Sequence, residues 1–146
     1  PTRRSSGLAA NIYANIGLQT GVVAASPHKL ISMLFDGALV AISMAEKHLA
    51  EGNMSAKGAD ITKAMGIISE GLRASLRFDV GGDISQNLDA LYDYMHRRLF
   101  SAHVKNDMNM LKEVHQLLSD LKSTWDTIEP HAAEQTTTHL SQQLKA

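Results

Sequence analysis

Between Pro27 and Pro130 the chain carries no proline, so the commonest helix breaker is missing from the central stretch. Apolar residues within that stretch recur at alternating spacings of three and four, the mark of helices that bury one face. The first stripe runs through Leu30, Leu34, Ala38, Ala41, Ala45 and Leu49, widened by Phe35 and Ile42, and ends toward Gly52. Ser26-Pro27 opens it, because Ser is a preferred N-cap and proline loses nothing at the first helical position. A second helix is predicted over 55–77, with Ile61, Ala64 or Met65, Ile68, Leu72 and Leu76 inward and a stop near Asp79-Val80-Gly81-Gly82. Gly66 and Gly71 inside it each cost about 1 kcal/mol relative to Ala, a deficit that packing has to offset.

Ser85 or Asp83 is expected to cap a third helix bearing Ile84, Leu88, Leu91, Met95, Leu99 and Ala102. Asp107 caps a fourth, whose stripe is Leu111, Val114, Leu118, Leu121, Trp125 and Ile128 before Pro130. Helices of this length, roughly 33 to 37 Å, joined by short links must run antiparallel to their neighbours. The predicted fold is therefore all-α, an antiparallel up-down four-helix bundle over 26–130. A segment at 1–25 is expected to pack across it and a polar tail at 131–146 to follow it. The 1–25 segment carries Leu8, Ile12, Tyr13, Ile16, Leu18, Val22 and Val23, an apolar set with no reason to be exposed.

Composition narrows the function. Lys and Arg number 14 against 15 Asp and Glu, so no net basic field exists to hold a phosphate backbone, and no nucleic-acid partner is expected. The absence of cysteine excludes thiol catalysis and Cys-ligated metal. Seven histidines show neither an i, i+4 pair nor a Glu-x-x-His element, so no metal site is expected. Gly81-Gly82 sits between two helices and is too short for a phosphate loop. No serine lies in a nucleophile setting and no catalytic carboxylate pair is evident, so neither an enzyme nor a cofactor is expected. Asp36, Glu46, Arg73 and Asp93 interrupt the apolar stretches short of about 20 residues, which argues against membrane insertion. Asn11, Asn15 and Gln19 break the start as a secretory signal would not, which makes a cytoplasmic location the expectation.

The stretch NLDALYDYMHRRL at 87–99 draws the eye, because Tyr92 and Tyr94 bracket the predicted inward stripe. Tyrosine is a rigid, amphipathic contact residue, although two tyrosines on the flanks of a core would look the same. Arg97 and Arg98, following Asp89 and Asp93, read as i,i+4 surface pairs rather than a ligand clamp.

That stretch, ASPHKLISMLFDGAL at 25–39, and the Asn106-Asp107 turn into a Leu-rich helix ending in Trp125 together resemble the flagellin-specific export chaperones called FliS. The resemblance runs from about Tyr13 to Trp125. It implies a bundle that binds the disordered C-terminal segment of flagellin in the cytoplasm, prevents premature polymerisation and delivers the client to the flagellar export apparatus. It also implies that the N-terminal segment, with Tyr13 at the position of a family tyrosine, can fold over the partner surface when no client is bound. Partner contacts are expected from Ile12, Tyr13, Ile16, Leu88, Tyr92, Tyr94 and Met95. A homodimer is a further expectation for the client-free protein, and a homodimeric structural or regulatory bundle is the competing reading.

Overall fold

The computed structural model describes residues 26–128, apart from the side chains of Phe78 and Val80. Within them the chain is four helices, without a strand: α1 (Pro27–Ala50), α2 (Met54–Gly66, continued by Ile67–Leu72 and Arg73–Ser75), α3 (Phe78–Lys105) and α4 (Met108–Asp126). Each helix packs on its sequence neighbours and α1 closes the ring against α4, leaving α1 and α3 on one diagonal. This is the expected antiparallel bundle. The segment expected to lie across it, with Ile12, Tyr13 and Ile16, and the polar tail fall outside the described residues.

The helix starts follow local chemistry. Ser26 Oγ accepts the Lys29 N–H at 3.1 Å with Pro27 behind it, Asn53 Oδ1 accepts that of Ala56 at 3.2 Å, and Asp107 Oδ1 accepts that of Met110 at 3.2 Å. Reversal between α1 and α2 needs a left-handed residue, which Gly52 supplies at φ 75°. Between α3 and α4 the same task falls to Asn106, at φ 51°.

The α2–α3 corner differs from the sequence reading. Helix α2 widens into a π-helical turn at Ile67–Leu72, tightens to a 3-10 turn and ends at Leu76, whose backbone is extended. The chain re-enters helix at Phe78, so the break expected across Asp79–Gly82 is a kink at Gly82 (φ 54°, ψ −132°) inside α3. Ser85 does not cap α3 by accepting an N–H. Its hydroxyl, fully buried, donates to the Arg77 carbonyl at 2.9 Å and ties the kink to the corner.

The core is built from the predicted stripes of α1, α2 and α4: Leu34, Phe35, Ala38 and Ile42; Ile61, Ala64, Ile68 and Leu72; Leu111, Val114, Leu118 and Trp125. The stripe of α3 is rotated from the prediction. Leu88, Tyr92, Met95, Leu99 and Ala102 are buried, whereas Ile84 and Leu91 are only partly so. By length and composition α1 could cross a membrane, but Leu34, Phe35, Ala38, Ala41, Ile42 and Ala45 turn into the bundle, as in a core helix of a globular domain.

Candidate partner-binding surface

Helix α3 carries the residues singled out at 87–99, and the structure sorts them by face. Leu88 (2% exposed), Tyr92 (3%) and Met95 (0%) point into the bundle. The expectation that Tyr92 brackets the inward stripe is thus corrected: it lies on the stripe, and burial pushes its phenol well above the ordinary tyrosine range. Tyr94 alone of the four sits at the rim, half-buried.

Tyr94 belongs to a seam between α3 and α4. Its hydroxyl donates to Glu113 Oε2 at 2.5 Å, while Arg98 Nε donates to Glu113 Oε1 at 2.9 Å. The Arg98 guanidinium lies 5.8 Å from the centre of the Tyr94 ring. The Tyr94 hydroxyl first, and then Arg98, hold the Glu113 carboxyl below the ordinary glutamate range against the opposing effect of burial.

The opposite flank faces α2. Arg73 donates to Asp89 Oδ2 at 3.2 Å and to Asp93 Oδ1 at 3.2 Å, and Asp93 also takes Arg97 Nε at 2.9 Å. The predicted i,i+4 pairing therefore holds for Asp93 and Arg97, while Asp89 and Arg98 bond across to other helices. Next to them His96 Nδ1 and Ser69 Oγ are 2.7 Å apart. These side chains fasten α3 along both edges.

Each end of the bundle has its own lock. At one end Trp125 Nε1 donates to the His28 carbonyl at 2.9 Å, His28 Nε2 reaches the Trp125 carbonyl at 3.1 Å, and the rings stack with centroids 5.0 Å apart. Ser32 Oγ donates to Asp126 Oδ1 at 3.0 Å beside them. At the other end Lys57, 2% exposed, donates from Nζ to the His103 carbonyl at 2.9 Å and to Asn106 Oδ1. An ammonium there meets the negative end of the α3 dipole and satisfies a carbonyl that the helix leaves open. Sequence reading missed Lys57, because a lysine off the apolar stripe looks like a solvated one.

Among the described residues no three His, Asp or Glu side chains converge to hold a metal ion. His48 Nδ1 lies 2.6 Å from Asp60 Oδ2 between α1 and α2, a tie within the bundle. Apolar side chains that the core does not use remain outside: Val40 (61% exposed) and Met44 (37%) on α1, and Phe100 (57%) and Val104 (63%) on α3. Val40, Phe100 and Val104 were not singled out from sequence. Phe100 lies off the predicted α3 stripe of Met95, Leu99 and Ala102.

Residues 9–132 match the family described as Flagellar protein FliS. The chain belongs to the FliS family. It is 45% identical over 131 residues to the Flagellar secretion chaperone FliS of Salmonella typhimurium, covering 90% of this chain and 96% of that one. The Flagellar secretion chaperone FliS of Escherichia coli is 41% identical over 77% of this chain and 83% of its own. The Flagellar secretion chaperone FliSB of Pseudomonas aeruginosa is 40% identical over 80% and 91%. A role in flagellar secretion as a chaperone comes with FliS membership.

Proposed function

We propose that this FliS protein binds the disordered C-terminal region of flagellin in the cytoplasm, keeps it from polymerising prematurely and hands it to the flagellar export apparatus. Membership of the FliS family over residues 9–132 carries this reading. The physical mode is helix-in-groove: apolar client segments lie along the bundle, and the client bears the ordering cost. Binding is expected to need neither metal nor nucleotide, because the sequence carries no metal-ligand constellation among its seven histidines and no phosphate loop.

Proposed contacts are Tyr94 at the α3–α4 rim and Ile12, Tyr13 and Ile16 of the N-terminal segment, with Leu88, Tyr92 and Met95 forming the floor beneath the rim. The apolar N-terminal residues act as a removable cover, so that only the uncovered fraction of the free protein is competent to bind. A homodimer through the flank of Tyr92 and Tyr94 is disfavoured, because Tyr92 is buried.

Mixing the protein with the flagellin C-terminal region and resolving the products by size-exclusion chromatography tests the reading. A heterocomplex is expected, and its absence at concentrations where both proteins are folded would overturn it. Titration calorimetry with Tyr13→Ala then fixes the sign of the cover. Tighter binding is expected, and weaker binding would make Tyr13 a client contact instead.

A further inference from the structure

Helix α3 ends at Lys105 and α4 begins at Met108, so Asn106 and Asp107 make the whole link between them. Asn106 is the one non-glycine residue at positive φ among the described residues, in a left-handed conformation that few residues with a side chain adopt. Helix pairs joined by so short a link take only a few arrangements, so the geometry of this turn fixes how α4 is rotated and translated against α3.

Helix α2 holds that turn from outside. Within the turn the Ala102 carbonyl accepts the N–H groups of both Asn106 and Asp107. The next carbonyl, that of His103, takes Lys57 Nζ at 2.9 Å, and the same ammonium donates to Asn106 Oδ1. Lys57 is buried and both of these acceptors are neutral oxygens. A buried cation is weak evidence for stability, since an apolar residue in its place is often as good or better, and its best-attested use is to fix a register. Gly58 completes the seat. A Cβ there would stand 3.0 Å from His103 Cε1, so α2 lies against the His103 ring at a distance where a side chain would crowd it.

The Tyr94–Glu113–Arg98 seam depends on that register. Glu113 stands about two turns beyond the link, roughly 10 Å along α4. Its one carboxylate accepts from two α3 side chains at once, Tyr94 and Arg98. A slip of α4 by a single residue would turn Glu113 by about 100° and shift it by about 1.5 Å, enough to break both bonds. We propose that Lys57, seated against the last turn of α3 by Gly58, is a positioning residue for the client-binding rim: by holding His103 and Asn106 together it sets the register of α4 against α3 and brings Glu113 opposite Tyr94 and Arg98. The role of Lys57 in binding rests on the rim being a client surface, as proposed above, whereas its hold on the register does not.

The test uses the full chain and Lys57→Met, apolar and of similar reach but without the donors. In the client-free protein the Glu113 carboxyl is followed by NMR as pH falls; Tyr94 and then Arg98 hold it below the ordinary glutamate range. Lys57→Met should raise its midpoint toward that range, about 4.3. Ser32→Ala, which removes a bond at the opposite end of the bundle, should leave the midpoint unchanged. An unchanged midpoint in folded Lys57→Met would overturn the proposal. Should Lys57→Met fail to fold, Asn106→Gly decides: it keeps the left-handed turn, deletes only the Oδ1 acceptor and should move the midpoint in the same direction, and no movement would overturn the proposal. Affinity for the flagellin C-terminal region, measured by titration calorimetry, should fall in Lys57→Met by at least about twofold, the least that coupled neighbours show. It should not fall further when Lys57→Met is added to Tyr94→Ala. Equal losses in both backgrounds would mean that Lys57 acts on the client by a route other than the rim, and would overturn the positioning role. If the wild type binds no client, the client reading fails, and the Glu113 midpoint alone decides whether Lys57 sets the register.

Discussion

Two glycines in α2 should respond to the same substitution with opposite signs. A Cβ at Gly71 would stand 3.0 Å from Leu34 Cδ2 and 3.2 Å from its Cδ1, and Leu34 is fully buried. At Gly66, helical at φ −63° and ψ −44°, a Cβ would meet nothing within 4 Å. Replacing Gly by Ala in a helix gains up to about 1 kcal/mol from backbone entropy, and Gly66→Ala should realise most of it. Gly71→Ala gains the same but forces Leu34 against a closed core, and overpacking of that kind costs about 1 to 3 kcal/mol. A net loss of about 1 kcal/mol is expected. The cause is checked by a double-mutant cycle. Leu34→Ala alone should cost about 2 to 5 kcal/mol, and adding Gly71→Ala should recover some of it, because the new methyl enters the space left by Leu34. A favourable coupling of at least about 0.5 kcal/mol marks the contact. Urea unfolding followed by far-UV circular dichroism and by the fluorescence of Trp125 measures all four proteins, with an unchanged m-value as the condition for comparison. Equal stabilisation by Gly66→Ala and Gly71→Ala would show that Leu34 moves aside freely and would refute the packing argument.

Two further outcomes follow from the geometry of α3. Leu88→Ala should destabilise by about 2 to 5 kcal/mol, and Leu91→Ala, from a half-buried site, by about half as much or less; the reverse order in urea unfolding would return Leu91 to the inward stripe. Glu113 is held below its ordinary range, so its bonds to Tyr94 and Arg98 contribute stability that is present above the unfolded-state pKa, about 4.3, and is lost as pH falls through the folded value. Tyr94→Phe should therefore raise the pH at which Glu113 titrates by NMR, and an unchanged titration would show that Arg98 alone sets it.

The bundle was legible in the sequence because its determinants are local. Absence of proline, the three-four spacing and the caps at Ser26 and Asp107 each act within a turn or two of themselves. The errors lie where a distant partner decides. Gly81-Gly82 looks like a loop until the buried Ser85 hydroxyl is seen holding the Arg77 carbonyl, which lets the chain re-enter helix before the glycines. The stripe of α3 was drawn through Ile84 and Leu91 because aliphatic residues outrank Ser and Tyr as core candidates. The structure buries Ser85 and Tyr92 instead. A rotation by one residue at two positions is small in sequence and moves Tyr92 from rim to core. Lys57 was invisible for the same reason, since its acceptors, the His103 carbonyl and Asn106, stand 46 and 49 residues away.

That rotation changes what a client can touch. Exposing a buried Leu, Met or Tyr side chain costs about 1.5 to 3 kcal/mol each, so lifting α3 far enough to offer Leu88, Tyr92 and Met95 together would cost roughly 5 to 9 kcal/mol from burial alone. The entire stability of a domain is about 5 to 15 kcal/mol. A client reaching those three side chains would spend about two-fifths to three-quarters of a nanomolar binding energy, about 12 kcal/mol, on opening the bundle. Tyr94 needs no such opening: it is half-exposed, and reaching its ring disturbs only its bond to Glu113 and its contact with the Arg98 guanidinium. On the proposed reading, a client of the closed bundle meets the α3–α4 rim, with Tyr94 as the side chain presented and the buried Leu88, Tyr92 and Met95 as the packing beneath it.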